Sequence, residues 1–296
     1  MKKILAISCI YMLFLCGIGS VATDNTKIDN EKSVSYKLET EYWAVIISTN
    51  TTNITSIYNS IIDKPNWNES HIILLKREEA TKENILDALD WLAVNSNSQD
   101  IILFSFTGHG TYNGTLINRK YGIATWGHNP IFVDELDEKL NLIDCKQMCL
   151  IFDCCLSGGF VGRKSIFPKE NNIFQYTEFL KSNLDNQNRV ILMSTRRLGG
   201  GFSASIVEDG IEVNVISFAR FVGDAFQNGI DNDNNGWVSA EEGFRYGRRK
   251  FRPYAIIIFL FIPLQIQAFI QSRGYFIIPF PTIYDGVEGE LPLVKI

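Results

Sequence analysis

The chain has 296 residues, 46% of them hydrophobic, enough for one large core or one domain with a small appendage. It carries 28 Lys and Arg against 33 Asp and Glu, a net charge of −5, and the basic residues form no stripe of the kind that binds nucleic acid. None of the six cysteines falls in a CxxC pair, which argues against a zinc site or thioredoxin chemistry.

In chain order, Lys2 and Lys3 precede an apolar run from Ile4 to Ile18, and Ser20-Val21-Ala22 offers small residues for signal-peptide cleavage. Residues 1–22 therefore read as a signal peptide, 23–40 as a flexible lead-in and 41–296 as one catalytic-size domain. A secreted or extracytoplasmic protein is expected, with an uncleaved anchor as the alternative. Tyr42–Ser48, His71–Leu75, Ile101–Phe106, Gln147–Phe152 and Val190–Ser194 are short apolar runs, as expected of strands buried on both faces. Between them, Ile54–Ile62, the segment capped by Thr81, and Val133–Ile143 have helical spacing, and Gly110–Trp126 reads as a hairpin. This β-α-β-α order predicts an α/β fold, a mainly parallel sheet with helices on both faces. Val215–Phe226 is again helical. The stretch Gly158–Asn188 is long and polar and suits an exposed, cleavable loop, with Arg163, Lys164 and Lys169 as candidate cleavage points.

Ligand sites in such sheets lie at the carboxyl ends of strands. Thr107-Gly108-His109-Gly110 follows the third strand, and Asp153-Cys154-Cys155-Leu156-Ser157-Gly158-Gly159 follows the fourth. A thiolate that attacks a carbonyl needs an imidazole to manage protons and backbone N–H donors for the developing oxyanion. The pattern supplies all three: a cysteine, His109, and the N–H groups of Gly110 and Cys155. Cys145 and Cys149 could be buried thiols, which is favoured, or a disulfide. His71 and His128 lack a glycine-rich strand end and read as structural or solvated.

The phrases FSFTGHGT and LIFDCCLSGGF resemble the caspase-like, metacaspase-like and legumain-like cysteine peptidases of the caspase–hemoglobinase fold, especially their secreted archaeal and bacterial branch. The resemblance runs from about Tyr42 to Lys250, with a shorter match from Ile283 to Leu293. Cys155 lies 46 residues after His109, near the roughly 50 of caspases. The resemblance implies that Cys155, the cysteine before Leu-Ser-Gly, is the nucleophile and His109 its base. It places Asp153 in the S1 pocket facing a substrate Arg or Lys, a charge-assisted and potentially bidentate pairing. Arg196 or Arg197 could instead point into that pocket and select an acidic residue, or be solvated; Ser203 and Ser205 could line it. The expected activity is endopeptidase cleavage of peptide or protein substrates after Arg or Lys, with a legumain-like transpeptidase or a catalytically silent calcium-binding module as alternatives. A monomer or weak dimer is expected, with no organic cofactor.

Asp231-Asn-Asp233-Asn-Asn235-Gly236-Trp237-Val238-Ser239-Ala-Glu241-Glu242 fits the EF-hand template. Asp231, Asp233, Asn235 and Glu242 would give side-chain oxygens to Ca2+, and Trp237 its backbone carbonyl. Beyond it, residues 253–272 carry no charge, and Ala255–Leu264 is intensely apolar. Its Ile and Phe content favours a buried strand or packed segment, and either 254–270 or the N-terminal segment could hold the protein at a membrane.

Overall fold

The structure is a computed structural model that describes residues 39–49, 56–115, 119–162, 184–201, 203–208, 211–261 and 280–296, with the side chains of 204–208, 211–215 and 258–259 excepted. The expected signal peptide, nearly all of the lead-in, Arg163, Lys164, Lys169 and most of 254–270 lie outside those residues. Leu38–Ile296 make up one compact unit.

Thirteen strands and five helices are described: β1 (Tyr42–Ser48), α1 (Ser56–Ile61), β2 (Ile72–Lys76), α2 (Lys82–Asn95), β3 (Ile101–Thr107), β4 (His109–Gly114), β5 (Arg119–Ala124), β6 (Ile131–Phe132), α3 (Val133–Leu140), β7 (Gln147–Asp153), β8 (Arg189–Met193), β9 (Ala204–Glu208), β10 (Ile211–Ile216), α4 (Phe218–Gln227), β11 (Trp237–Ser239), α5 (Ala240–Phe261), β12 (Thr282–Asp285) and β13 (Pro292–Lys295). The central sheet has the order β12-β8-β7-β3-β1-β2. Five strands run parallel, and β12 pairs antiparallel with β8 at the edge. Every residue of β1, β3 and β8 is buried. That burial on both faces explains runs such as IILFSF, which show no alternation. One face packs on a cluster that includes Leu89 and Leu92 of α2 and Leu136 of α3; the other packs on Ile57 of α1, Phe218 and Val222 of α4, and Phe251 of α5. The expected α/β sandwich is therefore present, and Thr81 caps α2 by accepting from Asn84 N–H at 3.2 Å.

Three differences from the sequence reading matter. Residues 255–261 are helical, not strand: α5 continues to Phe261 through Pro253. Phe251 and Ala255, four residues apart, are buried against the sheet, and their packing outweighs the roughly 3 kcal/mol that an interior proline costs. The stretch 158–188 is pinned at both described ends, although Asp185, Asn186 and Gln187 are exposed. Phe160 and Leu184 are fully buried, and Leu184 N–H donates to the Phe160 carbonyl. The buried Arg189 holds that end of the chain in place, donating to Asp137, to the Leu184 carbonyl and to Asn141. Residues 211–216 form β10, paired antiparallel with β9, so α4 starts only at Phe218 after its cap Ser217. Cys145 and Cys149 are free thiols, the favoured alternative.

Candidate active site

Strands β3 and β7 lie side by side with Thr107 opposite Asp153. His109 is two residues beyond Thr107 and Cys155 two beyond Asp153, so equal overhangs from neighbouring strands carry both to the same end of the sheet. They line one small cavity of about 70 Å³, together with Thr107, Asp153 and Ser203. A larger cavity of about 280 Å³ lies against Cys155 as well, walled by Gly110, Tyr112, Leu156 and Gly199. Cys155 is the residue the two cavities share.

The local turns account for this placement. Leu156 adopts φ 65°, a left-handed conformation that costs a non-glycine residue about 1–2 kcal/mol. The turn is held by the loop after β8: Leu156 N–H donates to the Gly199 carbonyl at 2.8 Å, and Ser157 and Thr195 exchange hydrogen bonds in both directions, 3.0 and 3.1 Å. Strain maintained by surrounding bonds is a feature of functional turns. Gly110 is pressed so close to Cys155 that a Cβ there would lie 1.8 Å from its carbonyl oxygen. Only glycine fits.

The two adjacent cysteines differ in environment. Cys154 is buried, and burial pushes its thiol well above the ordinary range. Cys155 is half-buried, and its Sγ accepts a hydrogen bond from Gly201 N–H at 3.0 Å. That backbone donor fixes the position of the sulfur at the cavity. Gly201 was not among the residues singled out above, although the run Gly199-Gly200-Gly201 is the visible signal. A Cβ on Gly201 would stand 2.8 Å from the Cys155 nitrogen.

Asp153 faces the small cavity from below and is anchored by the start of α4. Its Oδ2 accepts from Ala219 N–H at 2.8 Å, and Phe218 N–H, Ser194 and Ser217 also donate to it. Burial nevertheless raises its pKa above the ordinary carboxylate value, the four donors offsetting only part of the desolvation. Arg196 and Arg197 are engaged elsewhere. The Arg196 guanidinium lies 4.7 Å from the Phe280 ring, and Arg197 Nε donates to the Tyr121 hydroxyl at 3.3 Å; neither is among the described residues that line the two cavities. Ser203 is exposed at the cavity rim.

Residues 33–163 match the metacaspase, peptidase C14 domain family. This part of the chain is metacaspase-like. The metacaspase-like segment contains both the His109 and Cys155 motifs and ends before β8. Metacaspase-2 of Plasmodium falciparum (isolate 3D7) is 29% identical over 133 residues, which is 41% of this chain and only 6% of the length of that relative. A crystal structure of a Geobacter sulfurreducens protein aligns over 86% of this chain and 97% of its own, at 14% identity and a TM-score of 0.46.

The acidic loop lies outside the metacaspase-like segment. Oxygens of Asp231, Asp233 and Glu242 lie within 4.8 Å of one another. Glu242 is fully buried, while Asp233 is exposed. The loop is pre-shaped by its own backbone: Gly236 N–H donates to Asp231 at 2.9 Å, Asn235 N–H to Asp233 at 3.1 Å and Ser239 N–H to Glu242 at 3.1 Å. Gly236 takes φ 85° at the sharp turn. Asn235 Oδ1 accepts from Trp237 N–H. Trp237 opens β11, which pairs not with a second such loop but with β13 at the end of the described chain. Three converging carboxylates with hard oxygen donors suit Ca2+.

Proposed function

We propose that the protein is a cysteine endopeptidase in which Cys155 is the nucleophile and His109 its general base. The observation that carries this reading is the arrival of both residues in one cavity from matched overhangs of β3 and β7, inside the metacaspase-like segment. In the reaction His109 takes the thiol proton, Sγ attacks the scissile carbonyl, and the same imidazole returns the proton to the leaving amine. A backbone N–H on the Gly110 side of the nucleophile would stabilise the oxyanion. Water then attacks the thioester, releasing the new carboxylate and the free thiol.

Cleavage after Arg or Lys is the proposed specificity. It is supported by Asp153 at the small cavity and by the engagement of Arg196 and Arg197 with Phe280 and Tyr121. The test is hydrolysis of fluorogenic peptides that differ only at P1. Arg and Lys substrates should be cut and Asp substrates left intact; preference for Asp would overturn this part of the reading.

We further propose that Asp231, Asp233, Asn235 and Glu242, with the Trp237 carbonyl, hold a structural Ca2+. A cation there would neutralise the converging carboxylates and fasten α4, α5 and β13 together. At calcium a hundredfold above Kd, linkage stabilises by about 2.7 kcal/mol, which for a domain of this size is about 5–10 °C in Tm. Adding EGTA should lower the midpoint by that amount, and excess calcium should restore it. An unchanged midpoint would remove calcium from the account.

We also propose, from the apolar run Ile4–Ile18 and the small residues Ser20-Val21-Ala22, that the protein is exported and that residues 1–22 are removed. Mass analysis of the mature protein from its host should then find an N-terminus near Thr23; retention of Met1 in exported protein would contradict it.

A further inference from the structure

Helix α5 does more than support the acidic loop. Its two acidic residues, Glu241 and Glu242, are buried in the first turn, whereas Arg245, Arg248, Arg249, Lys250 and Arg252 are all exposed. Arg245, Arg248, Arg249 and Arg252 fall at i, i+3, i+4 and i+7, so they share one helix face. They line a surface groove of about 590 Å³, framed by Phe244 and Ile256. Five exposed cations within eight residues stand out in a chain whose net charge is −5.

Most of this charge is unclaimed by acids. Arg245 is paired with Glu290 at 2.8 Å. Among the described residues no carboxylate lies within ion-pairing distance of Arg248, Arg249 or Arg252. The Arg248 and Arg249 guanidinium groups lie 5.9 and 5.5 Å from the Phe244 and Tyr246 rings, contacts with ring faces that consume no N–H donor. Past Arg252 the helix changes character. Ile256, Ile257, Leu260 and Phe261 are exposed, Leu260 by 71% and Phe261 by 82%. A helix that passes from clustered arginines to bare Leu and Phe has two needs, anionic groups and an apolar medium, next to each other along its axis.

We propose that α5 docks on an anionic lipid bilayer, with Arg248, Arg249 and Arg252 at the level of the lipid phosphates and Leu260 and Phe261 inserted among the upper acyl chains. The geometry fits. From Arg252 to Phe261 the helix rises about 14 Å along its axis, so an inclined helix end reaches the roughly 5–10 Å depth of an interfacial helix. Arginine forks suit phosphate oxygens, and each basic side chain near an anionic surface adds attraction independently. No helix among the described residues is long and apolar enough to cross a membrane, and the contact proposed for α5 is a peripheral one. An acidic polypeptide would satisfy the arginines but leave Leu260 and Phe261 uncovered.

The test is sedimentation of the full chain with vesicles of phosphatidylcholine alone or mixed with phosphatidylserine. The protein should pellet with the mixed vesicles, stay in solution with the neutral ones, and be released as salt screens the contact. The triple variant R248Q/R249Q/R252Q should bind the mixed vesicles on the order of a hundredfold more weakly, and L260S/F261S should also weaken binding; circular dichroism and Tm would verify that both variants fold. Equal binding to both vesicle types, or binding unchanged in the triple variant, would overturn the proposal and assign any lipid contact to the N-terminal apolar segment. Arginine-dependent retention on a polyglutamate resin, with no binding to mixed vesicles, would overturn it in favour of an acidic protein partner.

Discussion

Cys155→Ala is expected to reduce peptide hydrolysis by about 10⁴-fold or more, while leaving the fold intact. The side chain is half-buried and its Sγ makes a single described hydrogen bond, to Gly201 N–H, so its loss opens little space. His109→Ala should match it closely, because nucleophile and base act as a unit and their effects do not add. Cys154→Ala separates the neighbours. Its thiol is buried among apolar groups, so that variant should lose stability, by about 1 kcal/mol, rather than kcat. Steady-state kinetics with urea unfolding on all three proteins checks the assignment. If Cys154→Ala were the inactive variant and Cys155→Ala the active one, the nucleophile would be the other cysteine.

Asp153→Asn carries the second large effect. A buried carboxylate opposite a substrate guanidinium, when neutralised, costs about 2–5 kcal/mol, so kcat/KM for Arg and Lys substrates should fall about thirtyfold to several thousandfold, chiefly through KM. pH sharpens the expectation. Burial raises the folded-state pKa of Asp153 above its ordinary value, so the folded protein holds this proton to higher pH than the unfolded chain does. Its contribution to stability is therefore full below the ordinary Asp pKa of about 3.9 and declines as pH rises through the folded value. The wild type should lose Tm relative to Asp153→Asn across that window. Substrate affinity moves the other way: a basic P1 side chain stabilises the ionised form, so KM for Arg peptides should drop as pH rises through the same interval, and in Asp153→Asn it should not. Matching profiles for the two proteins would show that Asp153 serves only to cap α4.

Much of this architecture is written locally in the chain. Runs such as YWAVIIS and VILMS announce doubly buried strands because no polar alternation interrupts them. The glycines around His109 and after Cys155 mark backbone that must approach something closely; at Gly110 that something is the Cys155 carbonyl. The acidic loop is legible because calcium-type spacing fixes residue types at five positions, those of Asp231, Asp233, Asn235, Gly236 and Glu242. What the sequence concealed depends on distant packing. Gly201 acts through a sulfur 46 residues earlier in the chain, and nothing in a triple glycine tells which backbone N–H will face it. The helical state of 255–261 is set by Phe251 and Ala255 reaching the sheet, against the strand preference of its Ile and Phe residues. The anchoring of the described ends of 158–188 by Phe160, Leu184 and Arg189 depends on partners distant in the chain, Asp137 and Asn141 among them.

The most direct test of the central claim is mass mapping of the protein after reaction with a peptidyl acyloxymethyl ketone bearing Arg at P1. Such a reagent alkylates a thiolate that a neighbouring imidazole has prepared and that a bound peptide places in line. The account predicts one adduct, on Cys155, that is lost in His109→Ala and blocked by excess Arg-containing substrate. An adduct on Cys145, Cys149 or Cys154, or equal labelling of Cys155 without His109, would contradict a Cys155–His109 peptidase.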